Sequence, residues 1–175
     1  MIVYKFRMLS DENDHFVRDY QVPATLTLLE FHNFIIETLE YEPCITSFFT
    51  ADAQWEKTGE FTAVDMGFEQ EEGDESISAP RPMEGVALCE ILHYMHDRLI
   101  YNFDIFASRA YYLELIEANE VDDADSKLYP RESFAHATAP DQYDPDSSVE
   151  DSSIFDEMMG DFGDFDGDDN YDDSY

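Results

Sequence analysis

The stretch from Thr25 to Tyr41, TLTLLEFHNFIIETLEY, constrains the fold most strongly because it carries the clearest helical period in the chain. Its apolar residues recur every three or four positions, as they do on one face of an α-helix. They are Leu28, Phe31, Ile35 and Leu39, with Phe34 and Ile36 beside them. Thr27 and Glu30 have the spacing of a capping box, and Pro43 cannot continue a helix. We therefore predict a helix from Thr27 to Leu39 that lies across a sheet, the simplest partner for such a stripe.

Alternating residues on both sides of this helix predict the sheet. Ile2 to Leu9 and His15 to Val22 alternate in hydropathy around the turn-forming residues SDEND, which predicts an antiparallel hairpin. Cys44 to Ala51 is rich in β-branched and aromatic residues and predicts a third strand. A second hairpin is predicted from Arg98 to Ile116, around a short connection at Asp104 to Ser108. Both faces of this hairpin carry apolar residues, which indicates central strands.

The middle of the chain gives weaker signals. Glu60 to Ala63 is predicted to be a short edge strand, and Met83 to His93 a short helix. The segment between them, Asp65 to Pro82, is predicted to be an acidic loop. Trp55, the single Trp, is expected half-buried at a corner. The order of hairpin, helix and further strands predicts an α+β fold with a mixed or antiparallel sheet and one main helix across it, in a β-grasp-like arrangement.

The composition changes after Val121, where the chain becomes rich in Asp, Ser and Pro without a sustained period. Low hydropathy and high charge do not offset the entropy cost of ordering. We therefore predict one domain at residues 1–121 and a disordered acidic tail at residues 122–175. The whole chain holds 42 acidic and 9 basic residues, a net charge of -33. This balance argues against direct binding to nucleic acid or to anionic membranes, because both need clustered Lys and Arg.

The first residues, MIVYKFRML, lack the apolar core of a signal peptide, and no later run approaches the length of a membrane span. We expect a cytoplasmic protein. In that compartment Cys44 and Cys89 are expected to be free thiols.

Four segments together resemble the plasmid pRiA4b ORF-3-like family, whose members are also described as passenger proteins of insertion elements. The segments are IVYKFRMLSDE, LLEFHNFIIETLEY, ITSFFTADAQWEK and LIYNFDIFASRAYYLEL. The resemblance covers Met1 to Ala118 and leaves the tail outside. It implies an α+β sheet with a helix across it, in a family that is largely uncharacterised. Some members carry a resolvase-related label, but the six Arg of this chain are scattered, whereas a serine recombinase needs several Arg around the scissile phosphate.

Two groups of residues are candidates for a local site. Cys89, His93 and His96 would share one face if their segment were helical, and such a face offers soft ligands for a metal. The alternative is a buried Cys with two exposed His at a helix end, and we assign no metal or cofactor. Asp104 and Arg109 flank the second hairpin connection and are expected to pair across it. No catalytic residue is assigned, and we expect a protein that is not an enzyme.

The segment SIFDEMMGDF in the tail combines a cap residue with apolar residues at helical spacing. Such a segment folds on binding when it meets a partner's groove. Its candidate docking residues are Ile154, Phe155, Met158, Met159 and Phe162. The leading hypothesis is a non-enzymatic interaction protein whose acidic tail docks on a basic partner protein. The alternative is a mobile-element accessory factor that acts as a nucleic-acid mimic on a recombinase or another DNA-binding protein.

Overall fold

A computed structural model describes residues 1–63 and 79–143 of the chain. Within these ranges it contains eight strands, two α-helices and one 3-10 helix. In chain order they are β1 (Ile2–Ser10), β2 (Val17–Pro23), α1 (Leu28–Leu39), β3 (Ser47–Ala51), β4 (Lys57–Thr62), β5 (Arg81–Pro82), α2 (Leu88–Ile91), β6 (Arg98–Asp104), β7 (Arg109–Glu120), the 3-10 helix (Asp123–Leu128) and β8 (Arg131–His136).

The strands form one sheet in the order β5-β4-β3-β6-β7-β1-β2-β8. Every neighbouring pair is antiparallel except β4 with β5, which is parallel. The predicted α+β class is therefore confirmed, with both predicted hairpins, the helix between them and a mostly antiparallel sheet. Strand β1 has β2 on one side and β7, also antiparallel, on the other. The hairpin β6–β7 is central, as the apolar residues on both of its faces predicted.

Helix α1 begins with the predicted capping box. The backbone N–H of Glu30 donates to Thr27 Oγ1 at 3.2 Å, and the backbone N–H of Thr27 donates to Glu30 Oε2 at 2.8 Å. The four residues of the predicted stripe are buried, together with His32 and Ile36. The helix ends where Glu40 takes a left-handed conformation with φ 57, before Pro43 is reached.

Aromatic side chains fill the space between α1 and the sheet. Phe31 stacks on Phe48 with ring centroids 5.7 Å apart, and the ring of Phe6 also lies close to it, at 5.2 Å. Phe103 and Tyr111 stack at 4.8 Å on the central strands. Both helices contribute buried residues to this one core cluster, Leu28 of α1 and Leu88 of α2 among them.

Two local predictions need correction. The helix expected from Met83 to His93 shrinks to the four residues of α2, because backbone groups before and at its start bond to the segment that leads into α1. The N–H of Leu28 donates to Val86 O and the N–H of Leu88 to Leu26 O, both at 2.9 Å. The predicted edge strand at Glu60 to Ala63 is not at the edge, because β5 pairs beyond β4.

The ordered domain also continues past the boundary predicted at Val121. Residues 122–142, expected to be disordered, include the 3-10 helix and β8, which pairs with β2. All six residues of β8 are exposed, so the strand has no buried face. Its sequence therefore lacks the alternation of apolar and polar residues that predicts a strand. Met1–Gln142 form one compact unit. The remainder of the predicted tail, residues 144–175, lies outside the described residues.

Candidate functional site

A cleft of about 500 Å³ lies beside the C-terminal end of α1. One wall is the end of the helix, and the other is formed by residues 137–142, which we call the strap. The polar residues that line the cleft are Arg18, Thr38, Glu40, Tyr41, Thr138, Asp141 and Gln142. Arg18 belongs to β2, the strand that pairs with β8, and it also lines this cleft.

Hydrogen bonds from three parts of the domain hold the strap and the end of β8. Arg18 donates to the carbonyls of His136 and Ala137, each at 2.9 Å. Arg109 donates to the carbonyls of Asp141 at 2.7 Å and Gln142 at 3.0 Å. The Gln142 amide bonds to both backbone groups of Glu42, at 2.7 and 2.8 Å. The strap is thus fixed largely through its backbone carbonyls, much as a bound peptide would be.

A pair of tyrosines lies beneath the strap. The hydroxyls of Tyr41 and Tyr111 are 2.6 Å apart, and Tyr41 also donates to the carbonyl of Pro140. Burial raises the pKa of Tyr41, and it raises the pKa of Tyr111 further. Both phenols are therefore protonated at neutral pH. They act as hydrogen-bonding groups that anchor the strap rather than as bases or nucleophiles.

A second buried polar cluster lies in the core. His32 is 5% exposed, and its Nδ1 lies 2.8 Å from Tyr101 Oη and 3.1 Å from Thr46 Oγ1. Burial lowers the pKa of His32. Both hydroxyls contact the same nitrogen of this neutral imidazole, so the cluster links α1 to β6 and to the residue before β3. This is a structural role, because buried polar groups need hydrogen-bond partners.

The structure does not support the premise of the metal hypothesis. Helix α2 ends at Ile91, so Cys89, His93 and His96 do not share a helical face. The Nδ1 atom of His96 instead lies 2.7 Å from Oε1 of Glu114 on β7. Among the described residues there is no group of three His, Cys, Asp or Glu side chains placed to hold a metal ion.

The predicted pair between Asp104 and Arg109 is present, but it is loose, at 3.9 Å. The principal partner of Arg109 is Glu12, whose two carboxylate oxygens lie 3.1 and 3.2 Å from Arg109 Nε. Glu12 precedes Arg109 by 97 positions, so the spacing of charges along the chain gave no signal for this contact.

The basic residues of the chain are nearly all engaged inside the fold. All nine lie in the described ranges, and eight of them make ion pairs or lie over aromatic rings. Those in ion pairs with carboxylates are Lys5, Arg7, Arg18, Arg98 and Arg109. Those over aromatic rings are Lys57, Arg81 and Arg131. Against 42 acidic residues, this leaves a large excess of carboxylates without an internal cation.

The predicted docking residues of the acidic segment, Ile154, Phe155, Met158, Met159 and Phe162, lie outside the described residues. Their proposed role stays a prediction. In the part of the chain that the structure describes, no helix is long and apolar enough to cross a membrane.

The fold and the cleft together define a class: an α+β protein with one mostly antiparallel sheet, closed at one edge by a strand and strap. The chain belongs to the plasmid pRiA4b ORF-3-like protein family, which it matches over residues 3–167. The match extends beyond Ala118 and includes most of the acidic segment that the sequence resemblance left outside.

The fold is also similar to the crystal structure of a protein of unknown function from Methanosarcina mazei Go1. The TM-score is 0.62 at 15% sequence identity, covering 92% of this chain and 84% of that one. At this identity the likeness concerns the fold alone. No curated protein matches the sequence.

Proposed function

We propose that the protein is a non-enzymatic interaction protein that binds a basic partner protein through its acidic C-terminal segment. The observation that carries this proposal is the imbalance of charge. Eight of the nine cations are used inside the fold, whereas the net charge of the chain is -33. A basic partner would neutralise carboxylates that the chain itself leaves unpaired.

The described polar clusters favour a binding protein over an enzyme. His32 is enclosed between two hydroxyls in the core, and the hydroxyls of Tyr41 and Tyr111 anchor the strap. Catalytic acids and bases need access to substrate and a pKa near the working pH. These three groups are used for packing and for hydrogen bonds within the domain.

The proposed binding mode combines two effects. The negative field of the chain speeds encounter with a cationic partner and weakens as salt is added. The apolar residues Phe155, Met159 and Phe162 then supply short-range anchors, since buried aromatic and apolar side chains contribute most of the affinity at interfaces. A partner that meets both conditions combines a basic surface with an apolar groove.

The experiment uses the full chain as bait in a cross-linked extract of its native source, with three variants. In the first, Asp156→Asn, Glu157→Gln and Asp161→Asn remove three charges next to the anchors. In the second, Phe155→Ala, Met159→Ala and Phe162→Ala remove the anchors and keep the charge. The matched control removes three exposed charges of the domain, and it carries Glu37→Gln, Glu56→Gln and Glu84→Gln.

We expect the first two variants to lose most of a basic protein that the wild type and the control retain. If the first variant, which lacks the three charges next to the anchors, captures that protein as well as the control does, the proposal is wrong. Added duplex DNA distinguishes the alternative mode, because a partner that the mimic occupies through its DNA-binding surface is released by DNA. A partner that stays bound in the presence of DNA excludes mimicry.

A further inference from the structure

The face of the sheet opposite α1, which we call the outer face, carries two parallel rows of side chains, one apolar and one charged. Along β6, Leu99, Tyr101 and Phe103 belong to the core cluster. Residues of a strand alternate between faces, so Ile100 and Asn102 point to the outer face. Both α-helices of the described chain place their buried side chains in the core cluster, on the inner face.

An apolar row crosses the outer face on five neighbouring strands. Its members occupy registered positions, Phe49 beside Ile100, Ile100 beside Tyr112, Tyr112 beside Leu9, and Leu9 beside Val17. Leu9 is 43% exposed, and Phe49, Tyr112 and Val17 are half-buried. Ile100 is only 4% exposed, so the row is open to solvent at its other four members.

A charged row runs parallel to the apolar row, two residues along each strand. Its members are again in register: Arg98 on β6, Glu114 on β7, Arg7 on β1 and Asp19 on β2. The sign of the charge alternates from strand to strand. Within the chain, Arg98 lies 3.4 Å from Glu114, and Arg7 lies 2.8 Å from Asp19. The row is electrically balanced, in contrast to the chain as a whole.

We propose that two copies of this chain associate through their outer faces, related by a two-fold axis that runs parallel to the strands between β7 and β1. This rotation places β6 opposite β2 of the second copy, and β7 opposite β1. Isologous contacts of this kind are the commonest way in which identical chains pair.

Each row, taken alone, is complementary to itself about this two-fold axis. In the apolar row, Tyr112 meets Leu9 of the second copy, whereas Ile100, which is already buried in its own chain, lies opposite Val17 and adds little contact area. In the charged row, the alternation of sign reverses on rotation, so that every charge meets its opposite. Glu114 faces Arg7 of the second copy, and these two side chains are 29% and 47% exposed. Arg98 lies opposite Asp19, whose carboxylate is buried and already bound by Arg7 of its own chain. A row in which opposed strands carried the same sign would place like charges together, at a cost in association.

Size and charge also fit this arrangement. With the axis between β7 and β1, the six strands β3, β6, β7, β1, β2 and β8 overlap with those of the second copy. Strands about 4.8 Å apart make this part of the sheet about 24 Å wide, and strands of about six residues give an overlap of roughly 500 Å². This is less than the about 800 Å² per partner of standard interfaces, which fits a weak dimer whose aligned sheets pack about 10 Å apart. Because the charged row is balanced while the chain as a whole is acidic, a second copy meets less repulsion at this row.

The single Trp gives a direct probe of this face. The ring of Trp55 lies edge-on to Tyr112 at 5.3 Å, with the Arg98 guanidinium 4.6 Å from its ring centroid. In the proposed dimer, Trp55 is covered by the second copy. Its fluorescence is therefore expected to shift to the blue and to become less accessible to acrylamide as the protein concentration rises.

The test is sedimentation equilibrium of the full chain, at about 0.15 M and about 0.5 M NaCl because salt screens the repulsion between the acidic chains. We expect a dimer at about 100 µM that strengthens with salt, and at least a tenfold rise in its dissociation constant for Leu9→Lys. The matched control is Phe106→Lys, at the tip of the β6–β7 hairpin, where Phe106 is 92% exposed. It adds the same charge and is expected to leave the dimer intact.

Three results would overturn the proposal. The first is a wild-type chain that stays monomeric at both salt concentrations. The second is a dimer weakened equally by Leu9→Lys and Phe106→Lys. The third is a dimer in which Trp55 stays as accessible to acrylamide as in dilute solution, since the chains would then associate through another surface. This third measurement uses the wild type, so it decides the question even if Leu9→Lys fails to fold.

Discussion

At the scale of single residues, Asp19 shows how the sheet accommodates a buried charge. It is 3% exposed, and it accepts hydrogen bonds from Nε and Nη2 of Arg7, both at 2.8 Å. Lys5 adds a second cation at 3.8 Å. Removing a carboxylate from water is costly, and a two-pronged pair with Arg is the geometry that offsets the cost best.

We predict that Asp19→Asn lowers the free energy of unfolding by about 2 kcal/mol, the typical value for hydrogen bonds to a charged group. Urea denaturation at low protein concentration measures this change. The control is Glu117→Gln, which removes the other carboxylate partner of Lys5 at an exposed position. A change of under about 0.5 kcal/mol is expected there, because exposed ion pairs contribute little. Equal effects of the two substitutions would contradict this account of Asp19.

His32 predicts a dependence of stability on pH. Burial lowers the pKa of its imidazole in the folded state, so the unfolded chain binds the proton more readily. The stability contributed by neutral His32 is fully present above the unfolded pKa of about 6.5, and it is lost as the pH falls from there towards the lower folded pKa. We expect His32→Gln to flatten the fall in urea midpoint between about pH 7 and about pH 5. The exposed His93→Gln serves as control, and a slope unchanged by His32→Gln would refute the assignment.

At the scale of elements, the sequence predicts those parts that local signals determine. Helix α1 is predicted by its apolar period and by a capping box that spans four residues. The hairpins β1–β2 and β6–β7 alternate strongly and are joined by short turns. Such signals arise between neighbours in sequence, so no knowledge of the tertiary structure is needed to find them.

Strand β8 and the strap escape the same reasoning for a physical reason. Their side chains are mostly exposed, so they leave no apolar pattern, and they are held by donors from distant positions. Arg18 reaches the carbonyl of His136 across 118 positions, and Tyr41 reaches that of Pro140 across 99. An acidic composition therefore indicates disorder only where the rest of the fold supplies no hydrogen-bond donors for the backbone carbonyls of the segment.

Weak side-chain burial predicts that β8 opens before the rest of the sheet. Little apolar surface is buried there, so the opening costs less free energy than unfolding of the core. We expect the amides of β8 to exchange hydrogen faster than those of β1, with a further increase in Arg18→Lys because a single ammonium replaces the fork that binds two carbonyls. The control is Arg81→Lys on β5, at the opposite edge of the sheet. Exchange in β8 as slow as in β1 would show that the strand is anchored more firmly than its contacts indicate.

At the scale of the whole molecule, the candidate site was less predictable than the fold. The cleft combines the end of α1 with residues 137–142, and the outer face depends on the register of five strands. Neither is visible until the chain is folded. The hypothesis of a metal at Cys89, His93 and His96 failed because it assumed a helix that ends at Ile91. The charge imbalance, in contrast, is a property of composition, and it leads directly to the proposed basic partner.

The salt dependence of binding to the captured partner tests this central claim most directly. The measurement is the dissociation constant of the full chain with the purified partner, taken from about 0.05 M to about 0.5 M NaCl. An acidic chain that binds a basic protein is expected to lose affinity steeply over this range, by tenfold or more, mainly through slower association. A partner with no basic surface, or an affinity that does not change with salt, would contradict the account.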